Sequence, residues 1–198
     1  TGSFSTAELQ RIQYIWQRVA EDYAPFDVDI TTEPPAADAI TRSSSTDQVY
    51  GTTVVITKST GVYPCSCGGI AYVGVFNYID TTNYYKPALV FYDMLGPGNE
   101  KYVAEAVSHE AGHNMGLSHD GTTTGTEYYA GQGTGAATGW APIMGVGYYQ
   151  PLVQFSKGEY ANAKNTEDDF AVAQTYGLPL RTDDYGNSTA AASPFVAS

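Results

Sequence analysis

His109-Glu110-Ala111-Gly112-His113 reads H-E-x-x-H, and the run continues through Gly116 to His119-Asp120. Histidines four apart on a helix project from one face, so His109 and His113 can offer ring nitrogens to one ion about 2.0–2.1 Å away. A straight helix would carry His119 off, but Gly116 can take a positive φ without a Cβ clash and turn the chain back. His119 then completes a three-histidine face. Three protein ligands leave the fourth tetrahedral position to water, which marks a catalytic rather than a structural zinc site, with Glu110 as the expected general base. A shuffled chain of this composition would show the whole pattern in roughly a few cases per million. All three histidines of the chain lie in it, so no fourth competes. Zinc over another divalent ion rests on ligand type and geometry.

The segment Glu100 to Met115 must be the helix that carries the first two histidines: Tyr102, Val103, Ala106 and Val107 form an apolar face and Gly116 is placed as its stop. Upstream, Ser5-Thr6-Ala7-Glu8 reads as a capping box for an amphipathic helix through Leu9, Ile12, Trp16, Val19 and Tyr23 that ends before Pro25. Phe26, Val28 and Ile30 alternate with acids and predict a short half-buried strand closed by Pro34-Pro35, followed by a polar loop over 36–47. Further strands are expected at Thr52 to Thr57, Ile70 to Phe76 and Ala88 to Tyr92. Gly121 to Gly139 carries six glycines and no apolar period, so it is a long loop of the kind that often bears function. A last helix opens at Thr166-Glu167-Asp168-Asp169 and stops at Gly177 and Pro179; from Arg181 the chain reads as a linker or tail. The expected organisation is one α+β domain over 1–180 with a tail over 181–198, and there is no internal repeat.

Composition narrows the partners. The 198 residues carry 9 Lys+Arg against 21 Asp+Glu, a net charge of -12, which repels nucleic-acid phosphates and anionic lipid. With 42% hydrophobic residues the chain is too apolar for a disordered acidic tail. It has no apolar run long enough to insert in a membrane, and it begins without an initiator Met or a basic-then-apolar signal, as a mature or excised fragment would. Its two cysteines, Cys65-Ser66-Cys67, form no framework or zinc knuckle; a small-ring disulfide and two thiols in a tight turn are both open. Two rival chemistries drop out. The Gly121 to Gly139 loop holds no Lys or Arg and is no P-loop, and Ser118-His119-Asp120 is no triad because triad members meet from distant positions.

The extended motif resembles the metzincin zinc endopeptidases, and Asp120 after the third histidine is similar to the adamalysin or reprolysin-like branch. Gly69-Ile70-Ala71-Tyr72-Val73-Gly74 resembles that branch's substrate-binding edge strand, and Pro142-Ile143-Met144-Gly145 its Met-turn. Phe155-Ser156 and the last helix match in order, so the resemblance spans about residues 6 to 177. The adamalysin cysteines near the third histidine and the Met-turn have no counterpart, which points to a distant, bacterial-type member. Metzincins usually place a strand before the first helix, and this sequence starts too late to contain it, so that strand is expected to be absent, supplied elsewhere or replaced. Some branches add a tyrosine ligand two after the Met; Val146 stands there, leaving Tyr148 and Tyr149 as candidates against a three-ligand site.

The resemblance implies a metzincin-like domain, a twisted mixed sheet with the zinc helix packed on one side. It implies a secreted, monomeric endopeptidase in which one zinc ion and Glu110 activate water toward the scissile carbonyl of a protein or peptide substrate. Substrate would pair antiparallel to Ile70, Ala71, Tyr72, Val73 and Gly74. Residues from Gly145 to Ser156 would line the pocket for the residue after the cut, with Tyr148, Tyr149, Leu152 and Phe155 either its apolar walls or members of the core. Gly116, Asp120 and Met144 are expected to support the site, Met144 as an apolar floor and Asp120 through buried hydrogen bonds. Calcium at acids such as Asp80, Asp93, Asp168 and Asp169 stands against solvated surface charge, with no EF-hand loop present. Asn187-Ser188-Thr189 has the pattern of a glycosylation sequon. The alternative from another class is a non-catalytic, zinc-containing module that recognises protein or glycan through its 17 tyrosines.

Overall fold

The computed structural model describes residues 3–36, 38–133, 137–182, 188 and 190–192. Most of the 181–198 tail, two residues of the Asn187 sequon and the middle of the Gly121 to Gly139 loop therefore lie outside the described residues. The architecture is α+β, with three α-helices and a small mixed sheet.

Helix α1 (Thr6–Asp22) opens with the expected capping box, in which Ser5 and Glu8 each bond the other's backbone N–H. Its first turns stand in solvent, with Leu9 and Trp16 exposed, and burial begins at Val19 and Tyr23. Beyond it the expected strand at Phe26 is a single bridge to Leu180. The neighbouring bonds Asp27 N–H to Pro179 O (2.8 Å) and Arg181 N–H to Pro25 O (2.9 Å) tie that stretch to the end of the domain. Val28 and Ile30 pack on the core without a partner strand.

Strands β1 (Thr53–Thr57), β2 (Gly69–Ile70) and β3 (Pro87–Phe91) form the sheet in the order β1-β3-β2, with β1 parallel and β2 antiparallel to β3. The expected strand from Ile70 to Phe76 is replaced by irregular chain after Ile70. Its backbone donors go elsewhere: Gly74 N–H bonds His113 O at 2.8 Å and Phe76 N–H bonds Asn114 O at 2.9 Å. A helix ends with orphan carbonyls, and this segment satisfies them. It caps the zinc-motif helix and so is unavailable to extend the sheet.

Helix α2 (Glu100–Asn114) is N-capped by Asn99, whose side chain accepts from the N–H groups of Lys101 and Tyr102. It is buried on nearly every side, with α1 and the sheet covering Val103, Ala106, Val107 and Ala111 in the main core. A second cluster of Leu117, Ile143, Met144 and Val153 lies below its C-terminal half. Strands β4 (Trp140–Pro142) and β5 (Leu152–Gln154) run parallel and frame the Met144 turn. Helix α3 (Asp169–Thr175) begins three residues later than expected, with Asp168 as N-cap. Glu167, read as part of that helix, instead accepts the Ser118 N–H at 2.7 Å. Among the described residues no helix is long and apolar enough to cross a membrane.

Candidate metal centre

At the end of α2 the chain turns through Met115 into Gly116 at φ +91°. Gly116 N–H bonds His113 O at 2.9 Å and Leu117 N–H bonds Gly112 O at 3.1 Å, the paired bonds of a glycine helix stop. A Cβ on Gly116 would lie 2.1 Å from the Tyr176 ring, so α3 packs against this turn and excludes any larger residue. The turn delivers His119 back to the helix face.

The nitrogens of His109, His113 and His119 that face one another lie within 4.8 Å, and among the described residues no other group of three or more His, Cys, Asp or Glu converges in this way. Each ring's Nδ1 has an oxygen partner: Ile143 O at 2.9 Å for His109, Leu117 O at 2.8 Å for His113 and Glu127 Oε1 at 2.8 Å for His119. Carbonyl and carboxylate oxygens only accept, so each Nδ1 donates its N–H, and a neutral ring of this tautomer keeps the lone pair of its Nε2. His113 Nε2 and His119 Nε2 stand 3.0 Å apart. Converging lone pairs repel one another unless a cation lies between them, and three neutral imidazoles suit zinc. Burial, then the charge of His113, pushes His109 down to about 3, and burial also lowers His113, so both are neutral at ordinary pH.

The histidines open on a cleft of about 540 Å³. Glu110 lines it, 7% exposed, and burial raises its carboxyl to about 7. Across from it stands Gly69, where a Cβ would come within 2.6 Å of Glu110 Oε1 and 2.7 Å of Leu89 O. Only glycine allows β2 and the carboxylate to approach so closely.

Of the expected substrate edge, Ile70, Ala71 and Val73 line the cleft. Tyr72 is half exposed, with its carbonyl bonded by Asn114 Nδ2 at 2.9 Å, and Gly74 packs against Tyr176. Gly145, Val146, Gly147 and Tyr148 form the opposite wall, together with Glu105 and Ala106 of α2. The remaining wall residues expected from sequence lie elsewhere. Tyr149 and Leu152 are exposed, and Phe155 is packed edge-on between Tyr23 and Phe26. Glu105 was unforeseen; its Oε1 takes Arg18 at 2.6 Å and Lys101 at 3.0 Å.

Met144 is fully buried, and its sulfur fills the space where a Cβ on Gly112 would come within 2.6 Å. Asp120 is 1% exposed; its carboxylate accepts from Ser156 Oγ at 2.8 Å and Tyr160 OH at 3.3 Å. Its backbone N–H bonds Met144 O at 2.9 Å, tying the third-histidine segment to the Met144 turn.

With this geometry in place, the family comparison is direct. The family described as Metallo-peptidase family M12B Reprolysin-like matches residues 8–120, more than half of the chain. The chain belongs to the reprolysin-like M12B metallopeptidases. A second peptidase family, Peptidase M66, matches residues 95–183, so the two matches overlap across α2 and the three histidines. No curated protein matches the chain.

Three points that the sequence of this reprolysin-like metzincin leaves open have definite positions in the fold. Tyr148 and Tyr149, the candidate extra ligands, make their ring contacts with Tyr102, whereas Tyr128 is the tyrosine against the histidines, 4.4 Å from His119 between ring centroids. Glu127 and Tyr128 come from the glycine-rich loop, whose lack of periodicity hid them. The acids considered for calcium are spent separately. Asp80 bonds Thr82 and Tyr84, Asp93 bonds Ser59, Asp168 caps α3, and Asp169 is 1% exposed and bonds Ser156 N–H. Cys65 and Cys67 are joined as a disulfide, and Cys67 lines the cleft.

Proposed function

We propose that the chain is a secreted zinc endopeptidase in which His109, His113 and His119 hold the ion and Glu110 is the general base. One observation carries this reading: three Nε2 lone pairs, fixed by their Nδ1 partners, converge at a cleft where a buried glutamate waits beside them. Zinc held there would supply Lewis acidity, lowering the pKa of water and polarising the scissile carbonyl.

The chain's own residues do the rest. Glu110 accepts a proton from the attacking water and passes it to the leaving amine, and its burial favours a carboxyl able to carry a proton at neutral pH. The cleft between β2 with Ala71 and Val73 on one side and the 145–148 wall on the other is shaped for an extended chain. The β2 edge that faces away from β3 offers backbone groups for pairing. The Cys65–Cys67 disulfide favours an oxidising compartment, in keeping with secretion.

The test is hydrolysis of an unbiased peptide library by the parent and by Glu110→Ala, with metal determined on the same samples. Cleavage by the parent, lost in the variant while about one zinc per chain remains, is the expected result. Bound zinc without cleavage in either protein would favour a recognition module. Absence of metal would remove the site assignment itself.

A further inference from the structure

One hydroxyl in the cleft is left unused by the chemistry above. Tyr128 lines the cleft, its ring 4.4 Å from His119 and 6.0 Å from His109 between centroids, and it is 41% exposed. Both chain neighbours are anchored. Glu127 holds His119 Nδ1 at 2.8 Å. Tyr129 donates its N–H to Asp120 O at 2.6 Å and accepts from Val146 N–H at 2.9 Å, while its ring stacks on Tyr160 at 4.2 Å. A residue fixed on both sides has already lost most of its backbone freedom, so little entropy is left to pay when it meets a substrate.

The cleft's other phenol is placed differently. Tyr148 packs on Tyr102 at 5.0 Å, and its hydroxyl stands against the opposite wall, 3.2 Å from where a Cβ on Gly68 would be. Val146, two after Met144, has no side-chain donor. Tyr128 is thus the phenol whose ring lies on the imidazoles and whose edge opens to the cleft.

The geometry points to Tyr128 as a further catalytic residue, donating its O–H to the substrate oxygen that gains charge during hydrolysis. This rests on the peptidase reading. Water oxygen bonds to the carbonyl carbon as Glu110 takes a water proton, and the C=O π pair moves onto the carbonyl oxygen. That pair returns as the C–N bond breaks, and Glu110 delivers the proton to the amine nitrogen. Tyr128 keeps its own proton throughout. Its hydrogen bond strengthens as the oxygen becomes anionic, so it stabilises the transition state more than the bound substrate.

The test uses the zinc-loaded parent and Tyr128→Phe, which keeps the ring on His119 and removes only the hydroxyl. Four quantities are measured: kcat, KM, zinc affinity by chelator competition, and affinity for a phosphinic peptide that mimics the tetrahedral oxyanion. Tyr128→Phe should lower kcat by about 100-fold, leave KM and zinc affinity within about threefold, and weaken the phosphinic peptide by a factor close to that in kcat. A kcat within about threefold of the parent overturns the assignment. So does a fall in kcat matched by an equal loss of zinc affinity, since the residue would then only brace His119. A parent that cuts nothing overturns the peptidase reading and this inference with it, whereas a cutting parent with an unaffected Phe variant removes Tyr128 alone.

Discussion

Ile143 O and Leu117 O, both backbone acceptors, orient His109 and His113, whereas His119 depends on a side chain, Glu127, that is 60% exposed. Backbone acceptors survive substitution, and a carboxylate on a loop does not. Glu127→Ala should therefore weaken zinc binding by about 10- to 100-fold, read by chelator competition, while Glu127→Gln, which keeps an acceptor oxygen, should recover part of the loss. Unchanged affinity in Glu127→Ala would show that the loop leaves His119 orientation to packing alone. The ligands themselves were legible in the sequence because i, i+4 spacing and a glycine stop are local rules. Glu127 was not, because it stands eight positions beyond His119 across irregular chain and no spacing rule governs such a distance.

At the scale of elements, the helices were legible and the sheet only in part. Capping at Ser5 and Asn99 and the 3.6-residue apolar period act within a few residues, so they can be read along the chain. The segment after Ile70 has strand-like composition, yet its donors go to the α2 carbonyls of His113 and Asn114. That choice depends on where α2 ends in space. Strands β4 and β5 are three residues each and exist because the Met144 turn between them packs beneath α2. Met144 is the link: its sulfur seats against Gly112, between His109 and His113 of the helix. Met144→Ala should cost about 2–5 kcal/mol in chemical denaturation of the metal-free protein, because the rigid turn cannot collapse into the cavity. A loss below about 1 kcal/mol would mean that the turn relaxes and that Met144 is not its keystone.

At the scale of the whole molecule, carboxyl groups raised by desolvation set how stability varies with pH, Glu110 and Asp120 of the site among them. Burial raises Asp22 to about 7 and Asp169 to about 8, against an unfolded value of about 3.9. Arg18, Glu21 and Glu105 surround Asp22, and Asp120, Glu167 and Asp168 surround Asp169. Asp22 accepts from Ser108 Oγ at 2.6 Å; Asp169 Oδ1 has no partner among the described residues. Through these two acids the native state holds more protons than the unfolded state between about pH 4 and 8, which lowers stability as pH rises, whereas His109 and His113, held neutral by burial, act in the opposite sense below about pH 6.5. Half-buried Asp47, Asp80 and Asp93 have lowered values and the opposite sign, so their contribution disappears below the ordinary carboxylate range. The melting temperature of the metal-free chain should decline from about pH 6.5, above the histidine window, to about pH 9, and Asp169→Asn should flatten the decline. A rising profile in the parent would show that the buried acids do not dominate.

By itself the sequence picked out the three candidate ligands, the proposed base, the helix that carries them and its stop, since each follows from residue type and short-range spacing. It also determined that a net charge of -12 disfavours nucleic-acid partners. Only the tertiary structure decided that the 71–76 segment caps α2 instead of extending the sheet, that Glu105 walls the cleft, and that Cys65 and Cys67 pair. It alone brought Glu127 and Tyr128 to His119. Hydrogen bonds and packing between segments far apart in the chain settle these placements, and no local pattern records which distant partner a donor, a ring or a carboxylate will meet.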